Sequence, residues 1–183
     1  MASSLPAQLN PGTYAIDTAH STASFSVRHA GIAKVRGTIA ISNGTVTVGN
    51  DLESSAVTAE LDAASVSTGD ANRDKHLTSA DFWNAEVNPT WSFASTGVKV
   101  DDDDYYVVGD LTINGVTQRV ELPTEFTGAA VDPFGNSRVG FESELEISRA
   151  NYGLTWNAAL EAGGFLVGDK VKIALDVSAI AQA

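Results

Sequence analysis

The chain has 183 residues, 43% of them hydrophobic and 19% charged, a balance that suits one soluble domain with its own core. Its formal net charge is −12, and its 11 lysines and arginines are scattered along the sequence without a basic stripe, which argues against nucleic acid and against attraction to anionic membranes. It has no cysteine, which removes disulfides, thiolate metal sites and thiol catalysis.

Residues 1–13 carry Pro6, Pro11 and Gly12 and read as a loose leader. They lack the basic and apolar regions of a secretory signal, and no apolar run in the chain is long enough to span a bilayer. The expectation is a cytoplasmic protein with no stable membrane anchor. A periplasmic or secreted form trimmed of its signal would read the same.

From residue 14 to residue 183 the sequence alternates with period two, as half-buried strands do, and gives no sign of a domain boundary or repeat. "TASFSVRH" sets Ala23, Phe25, Val27 and His29 on one face. "VRGTIAIS" turns Val35, Ile39 and Ile41 inward, "VTAELD" Val57, Ala59 and Leu61, and "WSFAS" Trp91 and Phe93. "DDDD" at Asp101–Asp104 is a solvated hairpin tip, because a calcium loop needs spaced ligands and a glycine bend. Leu111 and Ile113 lead into Asn114-Gly115, a type I′ hairpin turn, since both central residues need positive φ. The return strand places Val116, Gln118, Val120, Leu122 and Phe126 on one face. Pro123, which has no amide donor, must sit at an edge, a bulge or a bend. "RVGFESELEIS" puts Val139, Phe141, Leu145 and Ile147 inside, and "KVKIALDVS" puts Val171, Ile173, Leu175 and Val177 there. The sum is an all-β fold of roughly eight long antiparallel strands, enough to close a barrel.

One stretch breaks the alternation. "STGDANRDKHLTSADFW" offers Ser67 or Thr68 as a helix cap, and Thr78-Ser79-Ala80-Asp81 matches a capping box. A helical insert over Thr68–Phe82 is expected, placed as a lid or plug at a barrel end. "ISRANYGLTWN" reads as a loop that packs over an end, and "EAGGFLVGDK" as a glycine turn or a mobile gate.

Five motifs in order, "YAIDTAHSTASFSVRH", "RDKHLTSADFW", "GDLTINGVTQRVEL", "GFESELEISRANYGL" and "VGDKVKIALDV", resemble the YceI-like family of polyisoprenoid-binding proteins over about Tyr14 to Val177. The resemblance implies a lipocalin-like antiparallel β-barrel whose interior holds a long-chain isoprenoid, an isoprenoid quinone or another lipid. It also allows a homodimer, for which no exposed stripe in the sequence argues. On this reading the lining candidates are Phe25, Val27, Ile39, Phe82, Trp83, Phe93, Leu111, Ile113, Phe126, Phe141, Tyr152, Trp156 and Phe165. The alternative for each is ordinary core filling. Small inward residues, Ala23, Gly37, Ala59, Gly109 and Ser143, point to an underfilled interior.

Asp17, His20, Arg73, Asp74, His76 and Arg149 form the polar set: either a network that pins the helical insert, or contacts to a ligand's head group, with Arg73, Lys75 and Arg149 suited to a pyrophosphate. His20, His29 and His76 do not have the spacing of a zinc helix motif, and no nucleophile motif or phosphate loop is present. No metal, cofactor or catalytic residue is therefore expected. Two other functions stay open: an enzyme acting on a lipid or quinone through His20, Arg73 and His76, and a filled barrel that binds another protein.

Overall fold

The computed structural model describes residues 2–183. Ten strands form one antiparallel sheet: β1 (Gly12–Ile16), β2 (Thr22–His29), β3 (Ala33–Ile39), β4 (Ile41–Val48), β5 (Ala56–Asp62), β6 (Thr90–Asp101), β7 (Asp104–Ile113), β8 (Val116–Val131), β9 (Ser137–Ser148) and β10 (Val167–Ala181). Their order is β1-β4-β5-β6-β7-β8-β9-β10-β2-β3, and β1 also pairs with β10. β1 and β2 are two halves of one stave, joined by a 3₁₀ turn at Thr18–His20, because both pair with β10. β3 and β4 likewise form one stave, broken only at Ala40. The result is a closed eight-stave barrel, as the alternation and the resemblance led us to expect.

Closure differs at the two ends. At one, β1 pairs β4, β4 pairs β5 and the ring is complete. At the other, β3 has no strand partner on its β5 side, and the β5–β6 connection fills the wedge. Thr38 and Ser67 exchange backbone hydrogen bonds of 3.0 Å, and Ala40 N donates to Ser65 Oγ at 2.8 Å. This connection carries the one α-helix among the described residues, α1 (Ala71–Leu77). The helix is shorter than the expected Thr68–Phe82 insert, and its N-cap is Asp70, which accepts from Arg73 N, rather than Ser67 or Thr68. Asp74 instead reaches back to Thr68 N at 2.9 Å. Thr78–Asp81 starts no helix, and Thr78 is instead the C-cap of α1. It starts a series of turns in which Ala85 N donates to Thr78 O, burying Phe82 and Trp83.

Local rules hold elsewhere. Asn114 and Gly115 have φ of 54° and 72°, as the two-residue hairpin turn demands. Pro123 stands opposite Tyr106, one residue before β8–β9 pairing begins at Thr124↔Ser143. Counted from the hairpin, its nitrogen faces the β9 side, where no ladder bond is lost. Gln118, expected on the inner face, is exposed at the barrel end and donates to Asn151 O.

Within the leader, residues 2–11 are irregular yet tied to the barrel, and Gly12 already opens β1. Leu9 is buried, Ser3 N and Oγ donate to the Glu53 carboxylate at 2.8–3.0 Å, and Leu52 N donates to Ser3 O. Leu5, Pro6 and Leu9 gave no periodic signal in the sequence because an irregular segment has no period.

Candidate functional site: an apolar chamber on the barrel axis

Two apolar clusters close the ends of the barrel. Near α1, Phe82, Trp83, Ile113, Tyr152 and Leu154 pack together, and Trp83 Nε1 donates to Ala63 O at 3.0 Å. Near the leader, Leu9, Tyr14, Ile16, Val46, Val48 and Val139 do the same. Between them runs a cavity of about 210 Å³.

Its wall is aliphatic and aromatic. Of the expected lining residues, Phe25, Ile39, Phe93, Leu111, Ile113, Phe126 and Phe141 face it. Ala23, Ala59 and Ser143 face it too, so these small residues do leave space. The two inward glycines do not. A Cβ at Gly37 would collide with the Phe25 ring, and one at Gly109 with the Phe93 ring, so each glycine is the seat of an aromatic neighbour. Leu122, which the alternation placed on the same face as Phe126, lines it too, and so do residues not named as lining candidates: Pro6 and Leu9 from the leader, Val46, Leu52, Val98 and Tyr105.

The remaining candidates stand outside the chamber. Phe82, Trp83 and Tyr152 belong to the plug, and Val27 does not reach the cavity. Trp156 covers the plug, with its ring 4.7 Å from His76 and 5.4 Å from Phe82. Phe165 is 65% exposed on the Gly163-Gly164 turn, so it lines nothing. Period-two patterning identifies inward residues on strands. It is silent about aromatics in connections, where all of these residues but Val27 of β2 fall.

Three polar groups on the wall are already engaged. Ser95 Oγ accepts from Val57 N, Ser55 Oγ donates to Asp51 O and Thr124 Oγ1 donates to Leu122 O. Trp91 Nε1 and Ser143 Oγ have no protein partner and are themselves buried. The surface offered to an occupant is thus almost wholly hydrocarbon.

The expected single polar network is two separate ones. Beside the leader end, Asp17 Oδ2 accepts from Arg138 Nη1 at 2.7 Å and pairs with His20 Nδ1 at 2.8 Å, while Arg138 Nε donates to Asp132 at 2.8 Å. Arg138, then His20, hold the Asp17 carboxyl down at about 2. At the other end, Arg73 donates to Thr68 Oγ1 and Thr68 O, and His76 Nε2 meets Asp81 Oδ2 at 2.9 Å. The two sets share no contact, so Asp17 and His20 do not fix α1. Arg149 joins neither. It is 6% exposed, and its guanidinium donates to the carbonyls of Leu154, Trp156, Val167 and Gly168, pinning the loop over the barrel end. Burial pulls its pKa down. Four of its five N–H donors are spent on these carbonyls, so its role here is to hold the loop. Among the described residues no three His, Asp or Glu side chains gather as a metal site.

A closed antiparallel barrel around an apolar axial cavity, with a short helix and a loop packed over one end, defines the class of lipocalin-like barrels. The chain belongs to the YceI-like family: the YceI-like domain matches residues 14–179. Protein YceI of Escherichia coli O17:K52:H18 is 39% identical over 136 residues, covering 74% of this chain and 71% of that one. The fold is shared with BcnA of Burkholderia cenocepacia (TM-score 0.76, 20% identity, 89% of this chain and 98% of that). It is also shared with a polyisoprenoid binding domain from Saccharophagus degradans (TM-score 0.65, 15% identity, 94% and 100%).

Proposed function

We propose that the protein holds the tail of a long, uncharged isoprenoid-type lipid in its axial chamber and stores or carries it without chemical change. The observation that carries this reading is the hydrocarbon wall. An apolar cavity of 210 Å³ stays dry, and an apolar chain is what gains by entering it. A tail that buries about 400 Å² gains on the order of 10 kcal/mol gross, less the cost of ordering it. No lysine, arginine or histidine lines the chamber, so a pyrophosphate inside it would lie unpaired in low dielectric. The polyisoprenoid binding named for the Saccharophagus degradans domain supports the choice of ligand. Turnover needs a base within reach of the substrate, and His20, His29 and His76 all stand outside the chamber wall.

The test is organic extraction of the purified protein with mass spectrometry, followed by titration of the delipidated protein with all-trans-retinol, a fluorescent isoprenoid. A co-purifying neutral isoprenoid or saturable uptake is expected. Repeated absence of both overturns the carrier, and conversion of the bound lipid to a new product favours the enzyme.

A further inference from the structure

The lysines and arginines are scattered in the sequence, yet the register gathers them. Arg28 on β2 stands directly opposite Lys34 on β3, and the next outward row runs Lys172–Ser26–Arg36 across β10, β2 and β3. Lys170 adjoins them on β10, and His29 ends β2. All six are exposed. Among the described residues none of these five lysines and arginines has a carboxylate within ion-pair distance, and β2 and β3 contain no acidic residue. The nearby acids are Asp169, whose carboxylate accepts from Ser148 Oγ and Ala150 N, Glu146 across from Lys172, Glu161 on the neighbouring loop, and Asp70 and Asp74 on the connection beside the free edge of β3, of which Asp70 caps α1 and Asp74 accepts from Thr68. Like charges facing each other across two strands cost stability, so this arrangement needs a reason beyond folding.

Two large apolar side chains project beside the cations. Ile32, at the tip of the β2–β3 turn, is 85% exposed, and Phe165, on the adjoining loop, is 65% exposed. Ala30 N donates to Leu166 O at 2.7 Å and ties the two tips together.

We propose that this face is a docking surface for an anionic lipid bilayer. The cations meet lipid head groups, and Ile32 and Phe165 enter the acyl boundary. Protruding aliphatic and aromatic tips suit a membrane better than a nucleic-acid backbone, which offers them nothing to bury against. The net charge of −12 does not forbid it. The Asp101–Asp104 tip lies at the far end of the 12-residue β6, roughly 35 Å along the strand, against a screening length of about 8 Å. The surface is outside the chamber, so the proposal stands or falls independently of the cargo.

The experiment is co-sedimentation with vesicles of phosphatidylcholine alone or with roughly one-third phosphatidylserine, at low and high salt. We expect binding to the anionic vesicles only, lost at high salt. Neutralising each cation should weaken it about fivefold, so the pair Arg28→Gln and Lys34→Gln loses roughly 25-fold. The same pair should leave the thermal midpoint unchanged or raised, because it removes a repulsive contact. Ile32→Ser with Phe165→Ser should weaken binding to the same vesicles without altering retinol uptake. No sedimentation, equal sedimentation with both vesicle types, or unaltered binding of the glutamine pair each overturns the proposal. A gel shift of duplex RNA without vesicle binding overturns it in favour of nucleic acid.

Discussion

Replacing Ala59 by leucine separates a hollow barrel from a filled one. Ala59 faces the chamber from β5, between Gly44 on β4 and Phe93 on β6. At about 24 cal/mol per Å³, leaving 210 Å³ unfilled costs the unliganded protein on the order of 5 kcal/mol. Leucine adds three carbons, roughly 2 kcal/mol of burial if they enter space already there, of which local repacking takes back a part. A net gain of about 1–2 kcal/mol raises the thermal midpoint of a protein this size by roughly 2–8 °C. The same side chain takes room from the ligand, so retinol affinity should fall by at least about tenfold, or ~1.4 kcal/mol. Delipidated protein is followed by circular dichroism, and uptake by retinol fluorescence. A midpoint that drops by several degrees would show that the wall at Ala59 is already packed. A raised midpoint with unchanged retinol affinity would put the ligand elsewhere.

Three further outcomes follow from the geometry. Arg149→Met strands four carbonyl acceptors over the barrel end and should destabilise the protein by about 3 kcal/mol, with amide exchange of residues 153–167 rising first. Asp17 is held at about 2 and Asp132 is also lowered by Arg138. Depressed folded-state values mean that their stabilisation is complete above the ordinary carboxylate range near 3.8 and is lost as pH falls toward 2. A Tm-versus-pH curve should therefore slope downward over that window, and Arg138→Met should flatten it. Glu53→Ala releases Ser3 and with it the leader that supplies Pro6 and Leu9 to the wall. Retinol dissociation measured by stopped flow should accelerate while the barrel's circular dichroism stays the same.

The strands were legible because a sheet with one buried face writes its pattern into every second residue. Phe141, Ser143 and Leu145 alternate with Glu142, Glu144 and Glu146, and all three line the chamber as that alternation requires. The connections were less legible. Asp70 outcompetes Ser67 and Thr68 as a cap because Ser67 is committed to β3, a pairing distant in sequence, and Thr68 to the Asp74 carboxylate six residues on. Arg149 resembled a ligand for a charged head group, but its partners are main-chain carbonyls, which carry no side-chain signature. The basic face was invisible for a related reason. Arg28, Lys34, Arg36, Lys170 and Lys172 become neighbours only when β10 pairs β2 and β2 pairs β3.

That gathering bears on how the barrel exchanges its contents. The chamber wall carries no cation and is almost wholly hydrocarbon, so it attracts an occupant chiefly by excluding it from water, and an insoluble chain is scarcely present in water to be caught. A carrier of this kind gains from meeting its lipid where the lipid already resides. Cations held apart from the protein's own carboxylates, with Ile32 and Phe165 ahead of them, supply such a meeting at one end. The leader, anchored through Glu53, closes the wall at the other. Attraction to the membrane and retention of the cargo are then set by different residues. Arg28→Gln with Lys34→Gln should slow loading from vesicles while leaving the affinity for dissolved retinol unchanged, and Glu53→Ala should do the reverse to release.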